Sequence, residues 1–269
     1  MAGTNAFCVK RYRQNAEPGA ADAGLPCSGG VHVEEVGGGW EGGRRLRLVV
    51  DPWLPRLSRQ DGAGIVSICS AHPRVVEAAL RETAVRNGEV LIEATCNQVN
   101  QEGGYTGMTP EAFRRFVAGI AARNGFDAGR IILGGDHLGP NPWKQLPAEE
   151  ALQRAEAMVD AYVRAGFEKI HLDTSMGCAG EGVAVPDEVT ARRAARLAKV
   201  AEAAAGQAGT RPLYIIGTEV PTPGGATEEL ETLVPTSPEA AIETAEIHRA
   251  AFAEAGLEAA FERAIGLVV

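Results

Sequence analysis

The sequence predicts an α/β fold: a TIM-type (β/α)8 barrel that stops after its sixth strand. From Gly64 onward, short β-rich runs alternate strictly with amphipathic helices, which calls for parallel strands joined by helical crossovers. Polar side chains recur at one strand end after another: Glu93, Asp136, His137, His171, Asp173 and Glu219. A barrel gathers such groups from many strands onto one rim, whereas a doubly wound sheet concentrates them at one switch point. The sixth strand candidate, Ala264–Val269, is also the last segment of the chain, so the barrel is expected to be unfinished.

The strand candidates are Ile65–Cys69, Glu89–Thr95, Ile131–Gly135, Lys169–Asp173, Leu213–Gly217 and Ala264–Val269. Helices are expected at about 73–87, 110–124, 148–165, 187–206 and 238–255. The third shows the period most clearly, with Ala148, Ala151, Leu152, Ala155, Met158, Val159, Tyr162 and Val163 on one stripe. Thr109-Pro110 and Ser237-Pro238 fit N-cap hydroxyls followed by N1 prolines. Asn87-Gly88 and Ala165-Gly166 fit helix stops. Residues 1–50 differ, holding ten of the 33 glycines and little periodicity. They are expected to form a loose extension with one short strand at Val31–Val36, ahead of a barrel domain at 51–269.

With 269 residues, 45% of them hydrophobic and 23% charged, the chain can bury a sizeable core. A net charge of -9 argues against a nucleic-acid surface, because phosphate binding needs a basic field. Residues 1–60 carry eight Lys/Arg and six Asp/Glu, so by difference the remainder carries about -11. No apolar run reaches the roughly 18 residues of a membrane span, and no early apolar block resembles a signal peptide. The five cysteines are scattered without a C-x-x-C pair, which reads as a reduced, cytoplasmic protein.

Gly37–Gly42 formally matches G-x-G-x-x-G, but a loop and the strand-like Leu46–Val50 follow it where a dinucleotide site needs a helix. No nucleotide cofactor is expected. The sharpest local signal is Ile131-Ile132-Leu133-Gly134-Gly135-Asp136-His137, an apolar strand delivering an acid and an imidazole to the rim. Histidine suits a divalent metal, and the carboxylate can move protons; an Asp cap beside a neutral His is the competing reading. Glu93 shares a strand face with Leu91 and Thr95, and His171 with Asp173, so these groups are expected to point into the barrel. Unpaired burial there is expensive, so they pair with a metal, a ligand or one another in a structural polar layer. Asn97, Gln98, Asn100 and Gln101 lie in a loop rich in amides and glycines, suited to sugar hydroxyls, with Tyr105 its single aromatic. Thr222–Gly225 could offer backbone N–H groups to a phosphate. His72 either faces the site or ends the first strand.

Several of these segments together resemble a known family. Ile68–Pro73, Leu91–Thr95, Asn97–Gln101, Gly103–Pro110, Ile131–Asn141, Lys169–Met176, Cys178–Gly180 and Ile216–Pro221 are similar to the non-catalytic Z subunit of class II D-tagatose-1,6-bisphosphate aldolase, over about 60–269. The resemblance implies a barrel and a role in cytosolic galactitol, N-acetylgalactosamine or tagatose catabolism. It implies a partner, the catalytic Y subunit, a zinc aldolase with an Asp-His pair after a strand that Asp136-His137 resembles. Relatives of the family include ketohexose and ketohexose 6-phosphate 4-epimerases. The chain departs from the family in residues 1–50 and in ending where family members continue.

Three functions compete at this level. One is an accessory subunit that supports a class II aldolase. The second is a ketohexose 6-phosphate 4-epimerase using zinc or manganese and a sugar-phosphate ligand. Here Asp136, Glu219 and Glu93 are the candidate catalytic carboxylates, and His137 the metal ligand. Asn97, Gln98, Asn100, His171 and Asp173 are the candidate substrate contacts. The third is an inactive gene fragment.

Overall fold

A computed structural model describes residues 31–36, 45–50, 65–217 and 237–268, which fall in two compact units. One unit holds an antiparallel pair, β1 (Val31–Val36) and β2 (Arg45–Val50), with Val31 opposite Val50 and Val36 opposite Arg45. Both strands fall where the sequence placed strand-like runs, so the glycine run at 37–42 precedes a strand and not a helix. The rest of the expected loose extension lies outside the described residues.

In the other unit, strands β3 (Ser67–Cys69), β4 (Val90–Thr95), β5 (Ile131–Leu138), β6 (Lys169–Leu172), β7 (Leu213–Gly217) and β8 (Ala264–Val268) form one parallel sheet in chain order. Between them run α1 (Pro73–Val85), α2 (Pro110–Arg123), α3 (Ala148–Arg164), α4 (Asp187–Ala208), α5 (Pro238–Glu254) and the single turn α6 (Glu258–Phe261). The strand order never reverses, so right-handed crossovers bring successive helices to one face of the sheet. A doubly wound sheet reverses at its switch point, so the unbroken order is consistent with a TIM-like fold. Among the described residues no ladder joins β3 to β8. No described helix is long and apolar enough to cross a membrane.

Local chemistry explains the element ends. Thr109 and Ser237 accept hydrogen bonds from the third residue of their helices, with proline at the first position of each. His72 caps α1 from one residue nearer, its Nδ1 accepting from the N–H of Arg74, the second residue of that helix, at 3.3 Å. On α3 the expected stripe is buried from Ala151 to Val163, and Ala148 packs beside it. The helix-facing sheet residues Ile92, Ala94, Leu133, Ile170, Leu172, Tyr214 and Ile216 join that stripe in one apolar core.

Strand boundaries are corrected: β3 starts at Ser67 and not Ile65, β6 ends at Leu172 and leaves Asp173 outside it, and the end of β5 matters most for the site. The strand expected to stop at Gly135 runs on to Leu138, so Asp136 and His137 lie inside β5. Gly135 pairs with Ile170 and Leu138 with Leu172, three steps on one strand against two on its neighbour. That mismatch is a β-bulge, and His137 carries it with a left-handed φ of 52°.

Candidate functional site

The bulge decides where the side chains go. Successive strand residues alternate faces, so without it Asp136 and His137 would point oppositely. Leu138 lies in the helix-side core, and a Cβ on Gly135 would strike Leu138 and Tyr162, so both positions face the helices. The extra residue between them lets Asp136 and His137 share the other face. A left-handed histidine costs roughly 1–3 kcal/mol, which the surrounding contacts must offset.

On that inner face, Leu91, Ile132, Leu213 and Ile215 are buried next to a compact polar group. His137 Nδ1 lies 2.9 Å from Asp136 Oδ2, and His171 Nδ1 lies 3.0 Å from Asp136 Oδ1. The two imidazole rings are 4.5 Å apart. Lys169 Nζ is ion-paired with Glu93 and stands 3.7 Å from Asp136 Oδ1. Glu93 also accepts from the Ser67 hydroxyl, and the Cys69 thiol lies 3.3 Å from Asp136 Oδ2. Burial opposes ionisation of Asp136. The bonds from His137 and His171, with the charges of His171 and Lys169, outweigh it and hold the carboxyl well below the usual range. Although Cys69 as a residue is exposed, desolvation of its thiol and the carboxylates of Asp136 and Glu93 push that thiol up. Burial, then Asp173 and Asp136, push Cys96 up to about 12, so neither thiol is a ready thiolate.

Asp136, His137 and His171 each offer a ligand atom, and these atoms lie within 4.8 Å of one another. Two imidazoles and an ionised carboxylate suit a divalent transition ion. The short spacings run to different oxygens, Oδ2 to His137 and Oδ1 to His171, so the carboxylate faces both imidazoles and could meet an ion beside them through either oxygen. The residues therefore fit such an ion. His171, read from sequence as a substrate contact, belongs to this donor set.

The other expected residues divide. Asp173 is buried, its Oδ1 accepting from the Ser175 hydroxyl at 2.7 Å and backbone N–H at 3.2 Å. Asn97 is exposed on the loop after β4. Gln98 is half-buried, its Oε1 accepting from Thr95 N at 2.9 Å. Asn100 is taken up inside the loop: Oδ1 accepts from Glu102 N and Gly104 N, and Nδ2 donates to Cys96 O. That leaves its side chain a shaping part of the loop. Gly104 completes the turn, with φ 54°, where a Cβ would fall 2.4 Å from Gln98 O. Glu219 and the Thr222–Gly225 loop lie outside the described residues. Lys169 escaped the sequence reading, although its alternation with His171 and Asp173 put it on their face.

The model of the D-tagatose-1,6-bisphosphate aldolase subunit GatZ/KbaZ-like family matches residues 54–269. The chain belongs to this family. It is 62% identical to a D-tagatose 6-phosphate 4-epimerase of Agrobacterium fabrum over 208 residues, 77% of this chain and 49% of the relative. It is 55% identical to the D-tagatose-1,6-bisphosphate aldolase subunit GatZ of Klebsiella pneumoniae over 217 residues, 80% of this chain and 51% of that one. A solved structure from Sinorhizobium meliloti, described as a "probable tagatose 6 phosphate kinase", superposes with a TM-score of 0.69 at 60% identity, covering 77% of this chain and 49% of that one. The chain thus spans about half the length of the relatives it matches.

Proposed function

We propose that this protein is a metal-assisted 4-epimerase of a ketohexose 6-phosphate, with D-tagatose 6-phosphate as the substrate. The observation that carries this reading is the convergence of Asp136, His137 and His171 on one buried face, placed there by the bulge in β5. The Agrobacterium relative, named for that activity, supports the substrate class.

Inversion at C4 can proceed by retro-aldol cleavage. A base takes the C4 hydroxyl proton, the C3–C4 bond breaks, and its electron pair passes toward the C2 carbonyl. The freed aldehyde turns over, C3 attacks its other face, and the proton returns to the C4 oxygen. A bound zinc or manganese ion would supply Lewis-acid stabilisation of the developing oxygen charge. Asp136, His137 and His171 would hold it. A carboxyl held so low makes a poor proton carrier, so Asp136 serves better as a ligand than as the base. Glu219, following β7, takes the proton-transfer role, and Asn97 with Gln98 orients hydroxyls. Glu93 and Lys169 stay paired with each other beside Asp136.

A second reading, an accessory subunit that supports the catalytic subunit of a class II aldolase, is favoured by the Klebsiella relative's name. One experiment separates them. Metal-stripped protein is incubated with D-tagatose 6-phosphate before and after zinc or manganese is added, and C4 inversion is followed by formation of D-fructose 6-phosphate. Metal-dependent turnover by this protein alone supports the epimerase. No turnover, with co-purification and activation of the aldolase subunit, supports the accessory role.

A further inference from the structure

Glu93 and Lys169 stand two strands apart, with Gly134 between them in register. Adjacent strands are spaced about 4.8 Å, so the two side chains must meet across roughly 10 Å of sheet. They can because the middle position is empty: a Cβ on Gly134 would fall 2.6 Å from Glu93 Oε1. The pair is buried, with Ser67 bonded to Glu93 on the far side. Its lysine end is 3.7 Å from Asp136 Oδ1, the oxygen that also meets His171. Asp136 Oδ2 is met by His137 and Cys69. Both oxygens of one carboxylate are therefore gripped from two sides.

From this arrangement we infer that Glu93 and Lys169 form a cross-strand strut over Gly134 that positions Asp136 for a divalent cation. Lys169 is thus a positioning residue and not a metal ligand. The inference rests on the metal centre proposed above. Tied to Glu93, the ammonium stays 3.7 Å from Asp136 Oδ1, at the outer edge of ion-pair range, and does not close to the direct contact by which a lysine would take the cation's place. Polar groups behind a metal ligand typically alter affinity 10–100-fold when removed, which sets the size of the effect.

The test uses zinc titration of the metal-free protein by calorimetry, thermal unfolding of each variant, and d–d spectra with cobalt(II). Glu93→Gln/Lys169→Met removes both charges together. Glu93→Asp keeps the charge but shortens the reach to Lys169. The expected result is a zinc Kd at least tenfold weaker in each folded variant, with altered cobalt bands reporting a displaced carboxylate. Lys169→Arg, retaining charge and reach, should recover part of the affinity. A folded variant, of either design, with wild-type spectra and a Kd within twofold of wild type overturns the strut while leaving the metal centre standing. Wild-type protein that binds neither zinc nor manganese overturns both.

Discussion

Ile92 and Glu93 are neighbours in β4, yet they face opposite ways and answer to different physics. Ile92 joins a broad apolar core built by strands and helices, where many contacts share the energy and a lost methylene is partly absorbed by its neighbours. Glu93 has few partners, chiefly Ser67 and Lys169, and each is charged or hydrogen-bonding. Burying an ion is affordable only while its partner stays. The helix side of the sheet tolerates approximation; the inner side depends on particular pairs.

Single-residue changes sharpen that contrast. Lys169→Met should have the largest effect, leaving Glu93 as an uncompensated buried carboxylate and costing about 3–5 kcal/mol in urea unfolding, while Glu93→Gln/Lys169→Met regains most of it. A single variant as stable as wild type would show that the pair is solvated. On the other face, Met158→Ala should cost about 3 kcal/mol through the cavity it leaves, with zinc affinity unchanged within twofold. Zinc binding lost together with stability there would erase the distinction between the two faces.

His137 allows a finer cut. Glycine and alanine at 137 both remove the imidazole, but only glycine is at ease at φ 52°. His137→Gly should therefore be about 1 kcal/mol more stable than His137→Ala, with neither binding zinc through this site. Equal stabilities would mean that the bulge relaxes once the histidine is gone. The smallest effect is expected at His248 in α5, where burial lowers the imidazole pKa despite the Thr244 carbonyl and Asp187. The folded state then binds fewer protons than the unfolded one. His248 thus contributes stability fully above about pH 6.5 and progressively less as pH falls through that value. A stability–pH profile that is flatter in His248→Leu would bear this out; an unchanged slope would remove His248 from the acid response.

Much of this architecture is legible in the sequence because alternation and caps are local. The period of α3, the prolines behind Thr109 and Ser237, and the stops at Asn87 and Gly166 depend on residues a few positions apart. The inner face is less legible. Lys169 opens a strand, where a charge ordinarily reads as solvent-facing, and its partner Glu93 is 76 residues away. The bulge at His137 is harder still, since a left-handed histidine has no glycine to announce it. Asn100 looked like a ligand contact because its amide type is right, but the backbone N–H groups that occupy it come from the turn's conformation.

The central claim is that Asp136, His137 and His171 form one metal centre. Anomalous diffraction from crystals soaked in zinc tests it most directly. The expected result is a single strong peak with a carboxylate oxygen of Asp136 and one nitrogen from each imidazole at about 2.0–2.2 Å. A peak elsewhere, or none between β5 and β6 at full zinc loading, would contradict it.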